Sequence, residues 1–206
     1  MQIDVPRARY VPAAILFALV ASACSGSSGG SSYGSGDAAL AASNPGGGPI
    51  SPFLADGQAV LRAFDAVEAR SGKPLRVTSI TSDRMNGLMV DVQDPKNPIN
   101  VDQYTISPSG TLSGPAPVKL MSLTGGPVTA ADVKSRAFDP RAVGFARLAD
   151  AAREGITRSK YADARVSEWD FAGIGPDDRR YMYFDSARAR PVAVLSPQLT
   201  VVDMRY

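Results

Sequence analysis

Hydrophobic residues first recur at helical spacing between Asp56 and Arg70. The residues on the apolar side of this segment are Val60, Leu61, Phe64 and Val67. Asp56 is suited to cap the N-terminus through its carboxylate, and Gly72 is suited to a left-handed cap at the C-terminus. The pattern therefore predicts an amphipathic helix.

After Pro74 the pattern changes to alternation, which is typical of strands. The predicted strands are Leu75–Thr81, Gly87–Gln93 and Ile99–Ser107, with a short further strand near Val118–Leu123. The predicted turns between them are Asp94–Pro98 and Ser107–Gly110. The first half thus reads as a helix followed by strands.

The same order of patterns returns after a break at Thr124–Pro127. A short helix is predicted over Ala130–Phe138, and a second long helix from Asp139 and Pro140 to Glu154, with Gly155 as its stop. The strands predicted next are Ala164–Phe171, Arg179–Asp185, Pro191–Ser196 and Leu199–Arg205, with a turn over Gly173–Asp178.

These patterns predict an α+β fold of two tandem α-β-β-β(-β) repeats. The first repeat is expected at 53–123 and the second at 139–206, with an inter-repeat loop over 124–138. Each repeat is expected to form an antiparallel sheet with one long helix packed on one face.

Residues 1–52 have a different composition. Arg7 and Arg9 precede an apolar run over Val11–Ala23, which has the length of a signal-peptide core and is shorter than the roughly 20 residues that span a bilayer. From Ser25 to Pro52 the chain consists mostly of Gly, Ser, Ala and Pro, which predicts a flexible tether. We therefore expect a signal peptide at 1–23 and a tether at 24–52, with a retained transmembrane anchor as the less favoured alternative.

Cys24 is the only cysteine, so an internal disulfide cannot explain its presence in an exported protein. Ala21, Ser22, Ala23 and Cys24 resemble the lipobox of bacterial lipoproteins, although Ala21 stands where leucine is usual. The resemblance implies that the Cys24 sulfur receives a diacylglycerol before the leader is removed. The same residues also form an A-x-A site for ordinary signal peptidase, which would leave Cys24 unmodified.

A lipidated Cys24 implies a protein anchored on the outer side of the cytoplasmic membrane, and two acyl chains make such an anchor durable. Many Gram-negative lipoproteins that stay in the inner membrane carry aspartate after the cysteine, whereas this chain has Ser25. If the cell has an outer membrane, we therefore expect the protein on its periplasmic face.

Two stretches of the chain resemble the strand-turn-strand of PepSY domains, namely Tyr181–Val192 (YMYFDSARARPV) and Tyr104–Gly114 (YTISPSGTLSG). The tandem order of elements is also similar to the beta-lactamase inhibitor protein and to small outer-membrane assembly lipoproteins. Members of such families are mostly binding, inhibitory or assembly modules, so the resemblance implies a function of that kind.

The charge balance argues against a nucleic-acid binder, because 22 basic and 20 acidic residues leave a net charge of only +2. The chain contains no histidine, which removes the commonest general base and the commonest transition-metal ligand. No Walker motif, dinucleotide-binding glycine motif or metal-ligand cluster is present in the sequence. We therefore expect no cofactor and no metal.

Glu168 and Asp170 flank Trp169, so both carboxylates should share one face of a strand while Trp169 faces the core. Retaining glycosidases need two carboxyl groups only about 5–5.5 Å apart, which alternate residues of a strand approach. The pair is therefore a candidate acid pair, although a polar outer face over a buried tryptophan is the favoured interpretation.

Three other groups of residues could carry chemistry. Asp177, Asp178, Arg179 and Arg180 could form an acid pair or a phosphate grip, but a solvated turn is favoured. A basic and aromatic surface, which could bind anionic lipid headgroups or peptidoglycan fragments, is suggested by Arg179, Arg180, Arg188 and Arg190 near Tyr181, Tyr183 and Phe184. Without histidine only a Ser–Lys variant of a catalytic triad could exist, and Ser159 and Lys160 lack the S-x-x-K spacing.

The sequence thus favours a non-enzymatic lipoprotein of the bacterial cell envelope, held to the membrane through Cys24 and acting on another envelope protein or component through a sheet face or strand edge. A soluble secreted hydrolase that uses acidic residues such as Glu168 and Asp170 stays open as an alternative, as does a secreted inhibitor of an extracellular enzyme. The pattern does not indicate an oligomeric state.

Overall fold

The computed structural model of the chain describes residues 51–120, 126–173 and 179–206, with the backbone alone of residue 179. Cys24, the predicted signal peptide and nearly all of the predicted tether lie outside the described residues. The turn residues Asp177 and Asp178 lie outside them as well.

The first helix, α1, spans Gly57–Ser71 and agrees with its prediction. The carboxylate of Asp56 accepts hydrogen bonds from the backbone N–H groups of Gln58 (2.8 Å) and Ala59 (3.0 Å), which stabilises the N-terminus. Gly72, with φ of +103°, follows the last helical residue, a conformation that glycine adopts without a steric penalty. The predicted cap at Asp56 is confirmed, and Gly72 follows the helix end with a positive φ, although its ψ of 169° lies outside the left-handed helical region.

Eight strands form one antiparallel sheet in the order β4-β3-β2-β1-β5-β6-β7-β8. The strands are β1 Val77–Asp83, β2 Gly87–Gln93, β3 Val101–Ile106, β4 Leu112–Pro117, β5 Arg165–Ala172, β6 Arg179–Asp185, β7 Val192–Leu195 and β8 Val201–Arg205. Strands β2 and β6 match their predicted ranges fully, and the α+β class is confirmed.

The sequence predicts two separate sheets, one in each repeat, whereas the structure has a single sheet of eight strands. Strands β1 and β5 pair with each other, from Ser79 opposite Ala172 to Asp83 opposite Glu168. The first strands of the two halves are therefore neighbours at the centre of the sheet, and the halves share one hydrophobic core. The interpretation as tandem repeats stays a prediction.

The edge strand β4 lies earlier in the chain than the predicted strand near Val118–Leu123. The segment Leu112–Pro117 pairs with β3, whereas residues 118–120 are not in a strand and residues 121–123 lie outside the described residues. Two prolines in β4 can be accommodated because an edge strand needs hydrogen-bonding partners on one side only. The prediction of a strand at 118–120 is wrong.

The second long helix begins later and ends later than predicted. Separate 3-10 turns occupy Pro140–Ala142 and Phe145–Arg147, and the helix proper spans Leu148–Arg158. It is called α3, since the short helix α2 at Ala130–Arg136 precedes it. Gly155 is therefore an interior residue of the helix, and its prediction as a stop is wrong.

Tertiary contacts explain why α3 continues past Gly155 and why α2 ends at Arg136, before the predicted Phe138. A Cβ on Gly155 would lie 2.2 Å from the ring of Phe184, so glycine permits close packing of α3 on β6. Helix α2 ends before Phe138 because Phe138 pairs with Val77 in an isolated β-bridge. These contacts depend on residues far apart in sequence, which the local pattern could not reveal.

An aromatic cluster lies at the centre of the core. Trp169 is fully buried and stacks on Phe171 with ring centroids 4.7 Å apart, and Phe145 lies 5.6 Å from Trp169 and 5.4 Å from Phe64. The indole Nε1 of Trp169 donates a 2.9 Å hydrogen bond to the carbonyl oxygen of Phe53. The cluster thus links α1, the 3-10 turn before α3, and β5.

Candidate functional site: the open face of the sheet

Helices α1 and α3 contribute buried residues to a core on one face of the sheet, and we call the other face the open face. Side chains alternate along each strand, so in β2 Leu88, Val90 and Val92 are buried while Met89 and Asp91 are partly exposed. The partly exposed side chains of the open face include Ser79, Thr81, Asp83, Met89, Asp91, Gln103, Thr105, Glu168, Asp170, Tyr181, Tyr183, Val192 and Val194.

The prediction for Glu168 and Asp170 is confirmed in its geometry. Both residues are partly exposed on the open face, whereas Trp169 between them is fully buried on the core face. Their carboxylates have structural partners. The Thr81 hydroxyl donates to Asp170 Oδ1 over 3.1 Å, and the Arg190 guanidinium donates to Glu168 Oε2 over 3.3 Å. A catalytic role for the pair stays a prediction.

Asp91 is a third carboxylate of the open face, which the sequence analysis did not single out. It lies on β2 opposite Ser79 of β1, and its Oδ1 accepts a 3.0 Å hydrogen bond from the amide of Gln103. Burial raises the pKa of the Asp91 carboxyl, the hydrogen bond from Gln103 opposes this, and the negative charge of Asp170 raises the pKa further. The alternation in β2 could have indicated this residue, because Leu88, Val90 and Val92 assign Asp91 to the opposite face.

Two tyrosines lie beside the carboxylates on β6. Tyr181 is opposite Asp170 and Tyr183 is opposite Glu168, with the two ring centroids 6.3 Å apart. Burial raises the pKa of the Tyr183 hydroxyl, and the negative charges of Asp170 and Glu168 raise it further. The Tyr183 hydroxyl therefore lies near carboxylates that carry negative charge.

An arginine guanidinium lies over each tyrosine ring. The guanidinium of Arg190 is 5.5 Å from the centroid of Tyr183, and that of Arg205 is 5.5 Å from the centroid of Tyr181. Arg190 also forms ion pairs with Glu168 (3.3 Å) and with Asp185 (3.4 Å). The face thus binds guanidinium groups of its own chain.

The predicted basic and aromatic surface is not assembled as one patch. Arg180 is 9% exposed and Phe184 is fully buried, so neither forms part of the open face. Arg188 is exposed in the turn after β6, where its backbone N–H donates to the Ser186 hydroxyl. Only Arg190 among the described side chains of the predicted arginine group contacts the tyrosines of β6 in this way.

Ser159 and Lys160 have separate structural contacts. The Ser159 hydroxyl is fully buried and donates to the carbonyl oxygen of Ile156 over 2.6 Å, just after the last residue of α3. The Lys160 ammonium lies 5.3 Å from the ring centroid of Tyr206. The buried hydroxyl therefore serves to end the helix.

Both edges of the sheet carry features that hinder the addition of another strand. Edge strand β4 contains Pro115 and Pro117, which have no N–H to donate. At the other edge, the Val201 backbone N–H donates to Glu154 Oε2 (3.5 Å) and the Val201 carbonyl accepts from the Arg158 guanidinium. The Met204 N–H donates to the carboxylate of Asp203 over 2.8 Å. The open face is therefore a better candidate for binding than either edge.

Residues 51–120, 126–173 and 179–206 contain neither a candidate membrane span nor a candidate metal site. In these ranges no helix is long and apolar enough to cross a membrane. Within the same ranges no group of three or more acidic, cysteine or histidine residues could hold a metal ion.

Comparison with known proteins does not assign the chain to a family. No family model matches it, and no curated protein matches it. A solved structure resembles it. That structure is of "a putative lipoprotein" from Clostridium difficile 630, with a TM-score of 0.47 and 13% sequence identity over 71% of this chain and 91% of the other.

Replacing Asp91 by asparagine is expected to raise the free energy of unfolding at pH 7. The raised pKa means that the folded state binds the proton more tightly than the unfolded state, so the ionised carboxylate destabilises the fold above that pKa. As the pH falls below the unfolded pKa the carboxyl is neutral in both states, and the gain from Asp91→Asn should disappear. Denaturant unfolding at several pH values measures this, and a variant that is less stable than the wild type at pH 7 contradicts it.

Asp132→Asn is the matched control. Hydrogen bonds from the Thr129 hydroxyl and backbone N–H lower the pKa of the Asp132 carboxyl, so this exposed carboxylate stabilises the fold above its unfolded pKa. The control should therefore lower stability at pH 7, and the difference should shrink as the pH falls through the folded pKa. The same chemical change is thus expected to raise the free energy of unfolding at Asp91 and to lower it at Asp132.

Proposed function

We propose that the chain is a non-enzymatic lipoprotein of the bacterial cell envelope, tethered through Cys24, whose folded region binds another envelope protein through the open face. If the cell has an outer membrane, the periplasmic face of that membrane is the proposed location. The binding function is inferred from the open face of the sheet.

The dimensions of the open face support this proposal. Strands β3, β2, β1, β5, β6, β7 and β8 lie about 4.8 Å apart and rise about 3.3 Å per residue, so the face measures roughly 30 by 20 Å. Its flat area of about 600 Å² approaches the roughly 800 Å² of accessible surface that each partner of a standard interface buries. Tyrosine and methionine, which are enriched at such interfaces, are present at Tyr181, Tyr183 and Met89.

The leader and the tether support the location. A short apolar run ends at Cys24, and a Gly- and Ser-rich stretch follows it. About 25 flexible residues have a root-mean-square reach of roughly 25–30 Å. A tether of that length holds the folded region away from the membrane, so that the open face is accessible to a partner.

The symmetry of strand order supports the tandem interpretation of the fold. Each long helix precedes four strands, and the order of the strands is the same outward from the central β1–β5 pair in both directions. We infer that residues 53–123 and 139–206 are two repeats of the PepSY-like and inhibitor-like type. Such an arrangement suits a binding module, because the strands of the two repeats together form one face of interface size.

Site-specific photo-crosslinking in the native host tests the binding function. A photo-reactive benzoylphenylalanine replaces Met89 or Val194 on the open face in the full-length chain, and replaces the exposed residues Ala69 or Arg153 on the helices as matched controls. We expect one discrete adduct from both open-face positions and none from the helix positions. Adducts from the helix positions alone, or from no position, contradict the proposal.

A further inference from the structure

The half of the open face that is formed by β1 to β4 carries acidic side chains and no basic side chain on its strands. Strands β1, β2, β3 and β4 contain neither lysine nor arginine. On the open face, β1, β2 and β5 carry the carboxylates of Asp83, Asp91, Glu168 and Asp170, of which Glu168 is paired with Arg190. Strand β8 adds Asp203 and Arg205 to the same face. A cationic partner is therefore complementary in charge to the β1 and β2 part of the face, which carries Asp83 and Asp91.

The chain itself shows how the face binds a cation. Arg190 places its guanidinium against Glu168 and over the ring of Tyr183, and Arg205 lies over the ring of Tyr181. A carboxylate beside an aromatic ring attracts a guanidinium or ammonium through both charge and the ring quadrupole. The β6 part of the face thus binds two cationic side chains of its own chain, Arg190 and Arg205.

Asp91 extends the carboxylates of the open face toward β2. The carboxylate of Asp91 accepts a hydrogen bond from the neutral amide of Gln103, and among the described residues no lysine or arginine forms an ion pair with it. Asp170 lies across β1 from Asp91, next to Tyr181. A further cation seated here would compensate a partly buried negative charge.

We propose that the open face binds a segment of a partner protein that carries lysine or arginine side chains. Arg190 and Arg205 of this chain already lie over Tyr183 and Tyr181. The partner's cations would lie beside them, toward Asp91. This inference rests on the proposed binding function and names the chemistry of its partner. The interaction is expected to weaken with salt, because the charges of a flat face are only partly shielded from water.

Titration with a defined cationic probe tests this inference. The probe is hexalysine, with hexaglutamate as the opposite charge, added to the isotope-labelled chain from residue 24 onward with Cys24→Ser, which keeps the whole tether and folded region. We expect hexalysine to shift the backbone amide resonances of Thr81, Met89 and Asp170, and to leave those of α3 unchanged. Hexaglutamate is expected to shift none of them.

Two double variants distinguish binding of hexalysine at the open face from non-specific electrostatic attraction to the whole protein. Asp91→Asn combined with Glu168→Gln should raise the Kd for hexalysine at least tenfold. Asp65→Asn combined with Asp150→Asn removes the same charge from exposed helix positions and should change the Kd less than twofold. Far-UV circular dichroism and the unfolding midpoint verify that each variant is folded.

Several results would overturn the inference: no binding of hexalysine, shifts spread over both faces, or equal weakening by the two double variants. Binding of anionic lipid vesicles through the open face would also overturn it, since that partner has the opposite charge. Failure here is distinguishable from failure of the proposed function. Crosslinks from Met89 and Val194 would persist if the face binds a partner of different chemistry, and would be lost if the face binds nothing.

Discussion

Trp169→Ala is expected to lower the free energy of unfolding by about 3–5 kcal/mol, the range observed when a buried aromatic side chain is truncated. Trp169 is fully buried between Phe145 and Phe171, so a large cavity would form at the centre of the shared core. Its Nε1 is also the donor to the Phe53 carbonyl. Urea unfolding monitored by far-UV circular dichroism measures the loss.

Two further variants separate the contributions to this effect. Trp169→Phe keeps a ring in the core but removes the donor to Phe53, and an unsatisfied buried acceptor costs about 1–3 kcal/mol. Tyr181→Ala, on the open face of the neighbouring strand, should cost clearly less than Trp169→Ala because Tyr181 is partly exposed. A loss below 1 kcal/mol for Trp169→Ala would show that the aromatic cluster is not the centre of the fold.

Gly57→Ala is expected to destabilise the fold by about 1–3 kcal/mol, although alanine is ordinarily the better residue in a helix. A Cβ at this position would lie 1.8 Å from the carbonyl oxygen of Phe145, and a backbone atom cannot move aside as a flexible side chain can. The N-terminus of α1 would have to separate from the 3-10 turn that carries Phe145 into the core. The shift in urea midpoint measures the effect.

Gly126→Ala is the matched control for this prediction. A Cβ on Gly126 would meet no atom within 4 Å, so this variant should change stability by no more than about 0.5 kcal/mol. If Gly57→Ala proved as harmless as Gly126→Ala, the close approach of α1 to the Phe145 backbone would be incorrect.

The elements with strong local signals could be predicted from the sequence. Helix α1 has an apolar stripe, an N-cap at Asp56 and a C-cap at Gly72, and all three act within a few residues. Strand β2 alternates between buried and partly exposed residues from Leu88 to Gln93. In both cases the local preference and the tertiary environment agree.

The features that the sequence did not reveal depend on distant residues. Strand β4 lacks an alternating hydrophobic pattern, and its pairing with β3 defines it. Gly155 resembles a helix stop until Phe184 packs against it. The pairing of β1 with β5 joins residues such as Ser79 and Ala172, which no local pattern connects.

The candidate site could be predicted in part for the same reason. Alternation around Trp169 assigned Glu168 and Asp170 to one face, because the information lies within three consecutive residues. The proximity of Asp91 to Asp170 required strand β1 to lie between their strands. The contact of Arg190 with Tyr183 likewise required the β6–β7 turn to bring the guanidinium back over the ring.

We propose that Cys24 anchors the folded region to a membrane, and the mass of the N-terminal peptide isolated from the native host tests this anchoring. We expect a peptide that begins at Cys24 and carries the added mass of a diacylglycerol, in a protein that sediments with membranes. A Cys24→Ser variant should be found in the soluble fraction. An unmodified Cys24 in a soluble wild-type protein would contradict the claim and would favour ordinary secretion.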